Sequence, residues 1–139
     1  MGLYLCVFAA GGQDEELEGV EVGSYDDFDR FRTAVHQLEP GEWGGRFPVL
    51  MLHEDSDGEW SADEAITLEL ELLTIGSEFE ALPPQPFPAG WPAEVAKQFG
   101  VVPKSLRDSF IDIDAEPLLD RLVELAGLAG REKLPILFQ

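Results

Sequence analysis

The sequence predicts one globular domain, residues 1–139, of the α+β or α/β class, in which a single layer of four to five strands is covered by three main helices. A chain of 139 residues is one domain by size, and 45% hydrophobic residues are enough to build a core. Apolar runs typical of strands also alternate along the chain with stretches of helical periodicity. These patterns do not decide between a parallel and a mixed sheet.

The first forty residues predict two strands and a capped helix. Residues 2–9 form a continuous apolar run, as a strand buried on both faces does. Residues 17–22 alternate loosely and predict a short second strand. Ser24 with Asp27 resembles a capping box, which opens a helix of about four turns that ends before Pro40. The apolar face of this helix comprises Phe28, Phe31, Val35 and Leu38.

The middle of the chain predicts a buried strand over residues 47–52 and then a long helix. Ser61 and Glu64 form a second capping box. Residues 66–72 also alternate with period two, but the cap and one apolar stripe that continues for five turns favour a helix. That stripe comprises Leu68, Leu72, Ile75, Phe79 and Leu82. A second apolar set lies on the opposite side, as in a helix that is sandwiched within the fold or covered by a partner: Ile66, Leu70 and Leu73.

The last third predicts a connector, two helices and two strands. Residues 83–90 are proline-rich and predict an extended surface segment. Residues 91–99 predict a short helix that Gly100 closes. Residues 110–114 alternate apolar and acidic side chains, which is typical of a strand with one solvent-exposed face. A helix with a broad apolar stripe follows from Pro117 to Gly130, and residues 134–138 predict a final strand.

Charge is the strongest compositional signal. The chain has 28 acidic and 9 basic residues, a net charge of −19, and no Lys or Arg lies between Arg46 and Lys97. Such a field repels nucleic acid and anionic lipid, and it accelerates association with basic proteins by about 10- to 1000-fold at low salt. Solubility is the simpler reason for an acidic composition. The charge therefore excludes nucleic acid and membrane partners and is compatible with a basic protein partner.

The sequence also indicates a cytoplasmic protein. Cys6 is the single cysteine, so neither an intramolecular disulfide nor a cysteine zinc site can form. The N-terminus has no basic region and is too short for a signal peptide. No stretch approaches the roughly 18 apolar residues that a membrane span needs.

The acidic stretch at residues 53–64 partly matches a calcium-binding loop. With Gly58 at the sixth position of an EF-hand loop, oxygen-bearing side chains fall at five ligand positions. These are Asp55, Asp57, Glu59, Ser61 and Glu64. The first position, however, is His53, and a nitrogen ligand weakens a site for a hard cation. The favoured interpretation is a connection in which Asp57-Gly58 turns, Ser61 and Glu64 cap a helix, and Trp60 packs over the edge of the core. No metal site and no cofactor are expected, and calcium binding stays the alternative.

No catalytic residues are expected. His53 is close in sequence to acidic residues, but no serine or cysteine nucleophile has a recognisable setting, and no second histidine lies at metal-binding spacing. No glycine-rich loop leads into a helix with a lysine, so nucleotide binding is unsupported. The sequence favours a protein that is not an enzyme.

The residues expected to contact a partner are acidic and lie in two segments. Asp112 and Asp114 share one face of the predicted strand, and the acidic loop could lie beside them to form one negative patch. Equally, the two residues could be only the solvent-exposed side of an edge strand. The full set of predicted contact residues is Asp55, Asp57, Glu59, Trp60, Asp112 and Asp114.

Eight segments of the chain occur in the order of a known family and together span almost the whole sequence. They are residues 1–8, 19–25, 52–53, 57–61, 82–84, 110–114, 116–119 and 135–139. In these segments the chain resembles Immunity protein 70, a bacterial family of protective partners encoded beside the toxins of polymorphic toxin systems. The resemblance implies an α+β protein that binds and neutralises a cognate toxin. It carries over no catalytic residues, and it agrees with the charge, since an acidic inhibitor can fill a site built for phosphates.

Overall fold

The computed structural model describes residues 2–11, 15–54 and 57–139, and over these residues the chain has the predicted α+β fold. The strands are β1 (Gly2–Phe8), β2 (Glu16–Ser24), β3 (Glu59–Trp60) and β4 (Ile136–Phe138). The helices are α1 (Tyr25–His36), α2 (Pro48–Leu52), α3 (Ala62–Phe79), α4 (Trp91–Phe99) and α5 (Leu118–Glu132), with a 3₁₀ turn at Leu106–Asp108. None of the helices in these ranges is both long enough and apolar enough to cross a membrane.

The strands form one antiparallel sheet in the order β2-β1-β4-β3. The apolar run of β1 makes it a central strand, where Leu5 pairs with Val20 on one side and with Phe138 on the other. The sheet edges are therefore β2 and the two-residue strand β3. A strand of two residues leaves few backbone groups open to another chain, which protects this edge from uncontrolled pairing.

Both predicted capping boxes are confirmed. The Ser24 hydroxyl accepts the Asp27 N–H at 3.1 Å, and the Asp27 carboxylate accepts the Ser24 N–H at 2.7 Å. Ser61 and Glu64 make the same two bonds at 3.1 and 2.9 Å. These bonds satisfy N–H groups that have no partner inside the helix, so α1 and α3 begin at the residues that the sequence indicates.

Two predicted strands are wrong. Residues 48–52 form the short helix α2 instead, because Pro48 suits the first turn and a short apolar run does not distinguish helix from strand. Residues 110–114 contain a single bridge between Ile111 and Pro117, after which Asp112 folds the chain into a turn. The strand β3 was missed because its two residues are too few to show alternation.

The core lies between the sheet and helices α1, α3 and α5. Its aromatic centre brings Phe31 of α1 within 5.4 Å of Phe110 and 6.4 Å of Phe79, measured between ring centroids. Helix α3 packs on α5, on β3, and on α2, which its residue Glu71 binds. This packing leaves one side of α3 exposed, and we call the side with Ile66, Leu70 and Leu73 its outer face.

Candidate partner-binding surface

The surface of the described residues is dominated by carboxylates without basic partners. Three arginines form ion pairs within the fold: Arg46 binds Glu78, Arg107 binds Asp120 and Glu80, and Arg121 binds Glu18 and Asp112. Of the exposed acidic residues in the described ranges, Glu80 alone belongs to one of these ion pairs. The exposed acidic residues are Glu15, Glu16, Asp26, Asp29, Glu42, Glu54, Asp57, Glu59, Asp63, Glu64, Glu80, Glu94, Asp114, Glu116, Glu124 and Glu132. The negative charge of the sequence is therefore also a property of the folded surface.

Four of these carboxylates surround β3 and the first turn of α3, and we call them the acidic edge: Asp57, Glu59, Asp63 and Glu64. Their backbone is held in place by His53, whose Nε2 lies 2.9 Å from the Glu59 carbonyl oxygen. The His53 ring stacks on Phe138, with 4.1 Å between centroids. The acidic edge thus projects from a strand and a capped helix that are both fixed by the core. Asp55, which the sequence groups with these acids, lies outside the described residues.

Trp60 is a core residue and offers no surface to a partner. Its side chain is 1% exposed, its Nε1 donates to the Val49 carbonyl at 2.9 Å, and its ring meets Phe138 edge to face at 4.7 Å. Side chains alternate across a strand, so an exposed Glu59 places the next residue in the core. The predicted partner contact at Trp60 is corrected, and its packing at the core edge replaces it.

Asp112 is also buried, and only Asp114 of this pair reaches solvent. Asp112 is 1% exposed, and its Oδ1 accepts the N–H groups of Asp114 at 2.9 Å and of Glu116 at 3.0 Å. Burial raises the pKa of Asp112, although these two N–H groups and the Arg121 guanidinium act in the opposite direction. Asp112 therefore shapes the turn before α5, and the predicted partner contact at this residue is corrected.

We expect Asp112→Ala to lower the free energy of unfolding by about 2–3 kcal/mol, because two N–H groups lose their acceptor and Arg121 loses a carboxylate. The exposed neighbour provides the control, since Asp114→Ala should stay within about 0.5 kcal/mol of the wild type. Chemical denaturation of the two variants measures the difference. Equal losses would contradict the structural role of Asp112.

The two acidic segments do not form one patch. The turn at 112–116 lies beside β2, where the Ile113 N–H points at the Glu21 carbonyl oxygen at 3.4 Å. Glu59 belongs to β3 at the other edge of the sheet. Three strand spacings of about 4.8 Å separate these edges by roughly 14 Å. Asp114 therefore lies on a different part of the surface from the acidic edge.

The loop around Gly58 departs from a calcium-binding loop at its last ligand position. The Glu64 carboxylate accepts the Ser61 N–H, and the Ser61 hydroxyl accepts the Glu64 N–H, so both side chains are engaged in the helix cap. A short helix does precede the loop, contrary to the predicted strand. Within residues 2–11, 15–54 and 57–139, no group of three or more His, Cys, Asp or Glu side chains could hold a metal ion.

Sequence reasoning missed two buried glutamates that hold residues 40–52 in place. The Glu39 carboxylate accepts N–H groups from Gly44, Arg46 and Phe47 at 3.0–3.1 Å and lies 3.0 Å from Nδ1 of His36. The carboxylate of Glu71 accepts the N–H groups of Val49 and Leu50 at 3.1 and 2.9 Å, which caps α2 from a different helix.

The two glutamates have opposite pKa shifts. Burial alone would raise the pKa of Glu39, but the bonds from His36, Phe47, Arg46 and Gly44 together hold it below its ordinary value. For Glu71, burial outweighs two backbone bonds and raises the pKa. The position of Glu71 at the border of the apolar stripe of α3 could have predicted its burial. No such signal existed for Glu39, whose donors come from a loop.

A comparison with known families gave one match, and it covers nearly the whole chain. The model of the family described as Immunity protein 70 matches residues 3–138. No curated protein and no solved structure matched at a significant level. A match of this extent takes in every strand and helix described above except the first residue of β1, so the chain belongs to the Immunity protein 70 family.

Proposed function

We propose that this chain binds a cognate toxin of a polymorphic toxin system in the cytoplasm of the producing cell and neutralises it through its acidic surface. Membership of the family implies an immunity protein of a toxin system. The observation that supports an acidic mode of binding is the acidic edge, where four exposed carboxylates have no basic partner among the ion pairs of the described residues. Binding rather than catalysis is the activity that we propose.

Electrostatics favours a basic toxin as the partner. A net charge of −19 attracts a positively charged protein that comes within about one Debye length, which is about 8 Å at physiological salt. This attraction raises the rate of association. Close to contact, paired charges across an interface contribute about 1.5–7 kcal/mol of coupling energy. The acidic edge therefore accelerates association and also stabilises the complex once formed.

The acidic edge is also presented rigidly. Glu59 lies in a strand that pairs with Leu137 of β4, and Asp63 and Glu64 lie in the first turn of α3 behind its capping box. A backbone that is already ordered reduces the entropy lost when two proteins associate. A preformed negative surface of this kind could occupy a toxin site that binds phosphate groups.

We expect Asp57→Lys combined with Glu59→Lys to weaken toxin binding by about 100-fold and to abolish protection in cells, because two attractive contacts become repulsive. Folding should change by less than about 1 kcal/mol, since both side chains are exposed. Asp55→Lys in combination with Asp57→Lys should act in the same direction. The measurements are growth during co-expression with the toxin of the adjacent gene, and affinity by calorimetry with that toxin.

A matched control has the same change in net charge at exposed sites on α1 and α4, Asp29→Lys with Glu94→Lys. It should keep protection and lose less than about tenfold in affinity. If the control loses as much as the acidic-edge variant, overall charge and not this surface sets the affinity. If the toxin kills cells in which the wild-type chain is expressed and folded, the immunity function itself is refuted.

A further inference from the structure

The outer face of α3 is apolar and uncharged over three turns. Ile66 is 50% exposed, Leu70 is 62% exposed and Leu73 is 48% exposed. These three residues fall within about 60° of arc on a helix that turns 100° per residue. Every other exposed residue between positions 66 and 77 is also uncharged, namely Thr67, Thr74 and Ser77. Glu69 borders this face but is only partly exposed. The solvent-facing side of a surface helix usually carries more charge than this.

A surface depression deepens the apolar face beside Leu70. Its volume is about 420 Å³, and its walls are formed by Leu70, Thr67 and Thr74 on α3 and by Phe47 and Pro48 at the start of α2. Glu71 also lines the depression and accepts the N–H groups of Val49 and Leu50. Because these bonds fix α2 against α3, the depression exists before any partner arrives.

The charges around this face are mostly acidic. All charged residues of α3 are acidic, and Arg46, which also lines the depression, is paired with Glu78. The acidic edge continues directly into the face, since Asp63 and Glu64 occupy the first turn of α3. An apolar centre with a charged rim is the usual composition of a protein interface, in which a few buried apolar anchors supply most of the energy.

We infer that the outer face of α3 is the apolar centre of the toxin-binding surface, where an apolar side chain of the toxin enters the depression beside Leu70 and basic residues around it meet the acidic edge. The inference rests on the proposed function and names the part of the surface that provides affinity. A second copy of this chain fits poorly, because it would bring the acidic residues of two α3 helices together. Such like-charge contacts cost several kcal/mol.

The test is a double substitution, Leu70→Gln with Leu73→Gln, which removes the apolar side chains but keeps good helix formers. We expect the affinity for the toxin of the adjacent gene to fall by about 100-fold, with the melting temperature unchanged, because both leucines are exposed. The loss should lie in the dissociation rate and leave the salt dependence of association unaltered, unlike reversal of the acidic edge. The control is Val102→Gln, which removes an apolar side chain that is 78% exposed outside α3 and should bind like the wild type.

Three outcomes would overturn the inference, and they are distinguishable. If the wild type binds the toxin and the Leu70→Gln, Leu73→Gln variant binds as tightly, the proposed function stands and only the assignment of this face fails. If the wild type forms a dimer in sedimentation experiments that the same variant dissociates, the face belongs to a second copy. If the wild type does not bind the toxin at all, the proposed function fails and this inference falls with it.

Discussion

Replacing Glu39 by alanine is expected to lower the free energy of unfolding by about 3–5 kcal/mol. The Glu39 carboxylate is fully buried and accepts three backbone N–H groups from the loop between α1 and α2. Each buried N–H that loses its acceptor costs about 1–3 kcal/mol. Because the same loop leads into α2, which forms one wall of the depression on α3, toxin binding should weaken as well. Denaturation measured near pH 7 gives the loss of stability.

The control for Glu39 is Glu42→Ala in the same loop, where the side chain is exposed and the change should stay within about 0.5 kcal/mol. The pH dependence provides a second check. The pKa of Glu39 is lower in the folded state than its ordinary value of 4.5, so its contribution is complete above that value and is lost as the pH falls through the folded-state pKa. The difference in stability between wild type and Glu39→Gln should therefore shrink below about pH 4.5. A constant difference would contradict an ionised Glu39 in the folded protein.

Replacing Trp60 by alanine is expected to cost about 3–5 kcal/mol, which is typical of removing a large aromatic side chain from a core. The loss includes the bond from its Nε1 to the Val49 carbonyl and the packing on Phe138 and His53. Since Trp60 leads directly into the Ser61 cap of α3, the acidic edge should lose its fixed position too. Denaturation and a growth assay measure both effects.

Trp60→Phe separates packing from partner contact. It keeps most of the buried apolar surface and loses one hydrogen bond, so we expect a cost of about 1–2 kcal/mol and full protection against the toxin. A folded Trp60→Phe protein that no longer binds the toxin would contradict the core role of this residue. It would then restore the contact that the sequence predicted there.

Local signals in the sequence predicted where the main helices begin. Ser24 with Asp27 and Ser61 with Glu64 satisfy backbone N–H groups within three residues of each other, so no distant contact is needed to form these caps. Residues 66–72 are helical, as predicted, and follow directly from the Ser61 cap. The fold class follows from such elements, since strands and helices that alternate along the chain must pack in layers.

Long-range contacts decided the elements that the sequence did not predict. Residues 48–52 are helical because Glu71, about twenty positions later, caps them. Residues 110–114 turn because Asp112 binds N–H groups ahead of it and meets Arg121. The antiparallel order of the sheet likewise depends on pairing between β1 and β4, which lie at opposite ends of the chain.

The candidate site was predicted only in part for similar reasons. Asp57, Glu59 and Asp114 are charged and were expected at the surface, and the structure exposes all three. Burial is set by the whole fold, and it removed Trp60 and Asp112 from the surface. The two-sided apolar pattern of α3 was visible in the sequence, but only the fold identifies Ile66, Leu70 and Leu73 as the exposed side.

The most direct measurement is the association rate constant of the wild-type chain with the toxin of the adjacent gene as a function of ionic strength. If an acidic surface guides the encounter, the rate constant should fall at least about tenfold between 10 mM and 500 mM salt, because the screening length shrinks over this range. The Asp57→Lys, Glu59→Lys variant should show a smaller slope than the Asp29→Lys, Glu94→Lys control. A rate constant that does not depend on salt would contradict neutralisation through the acidic surface.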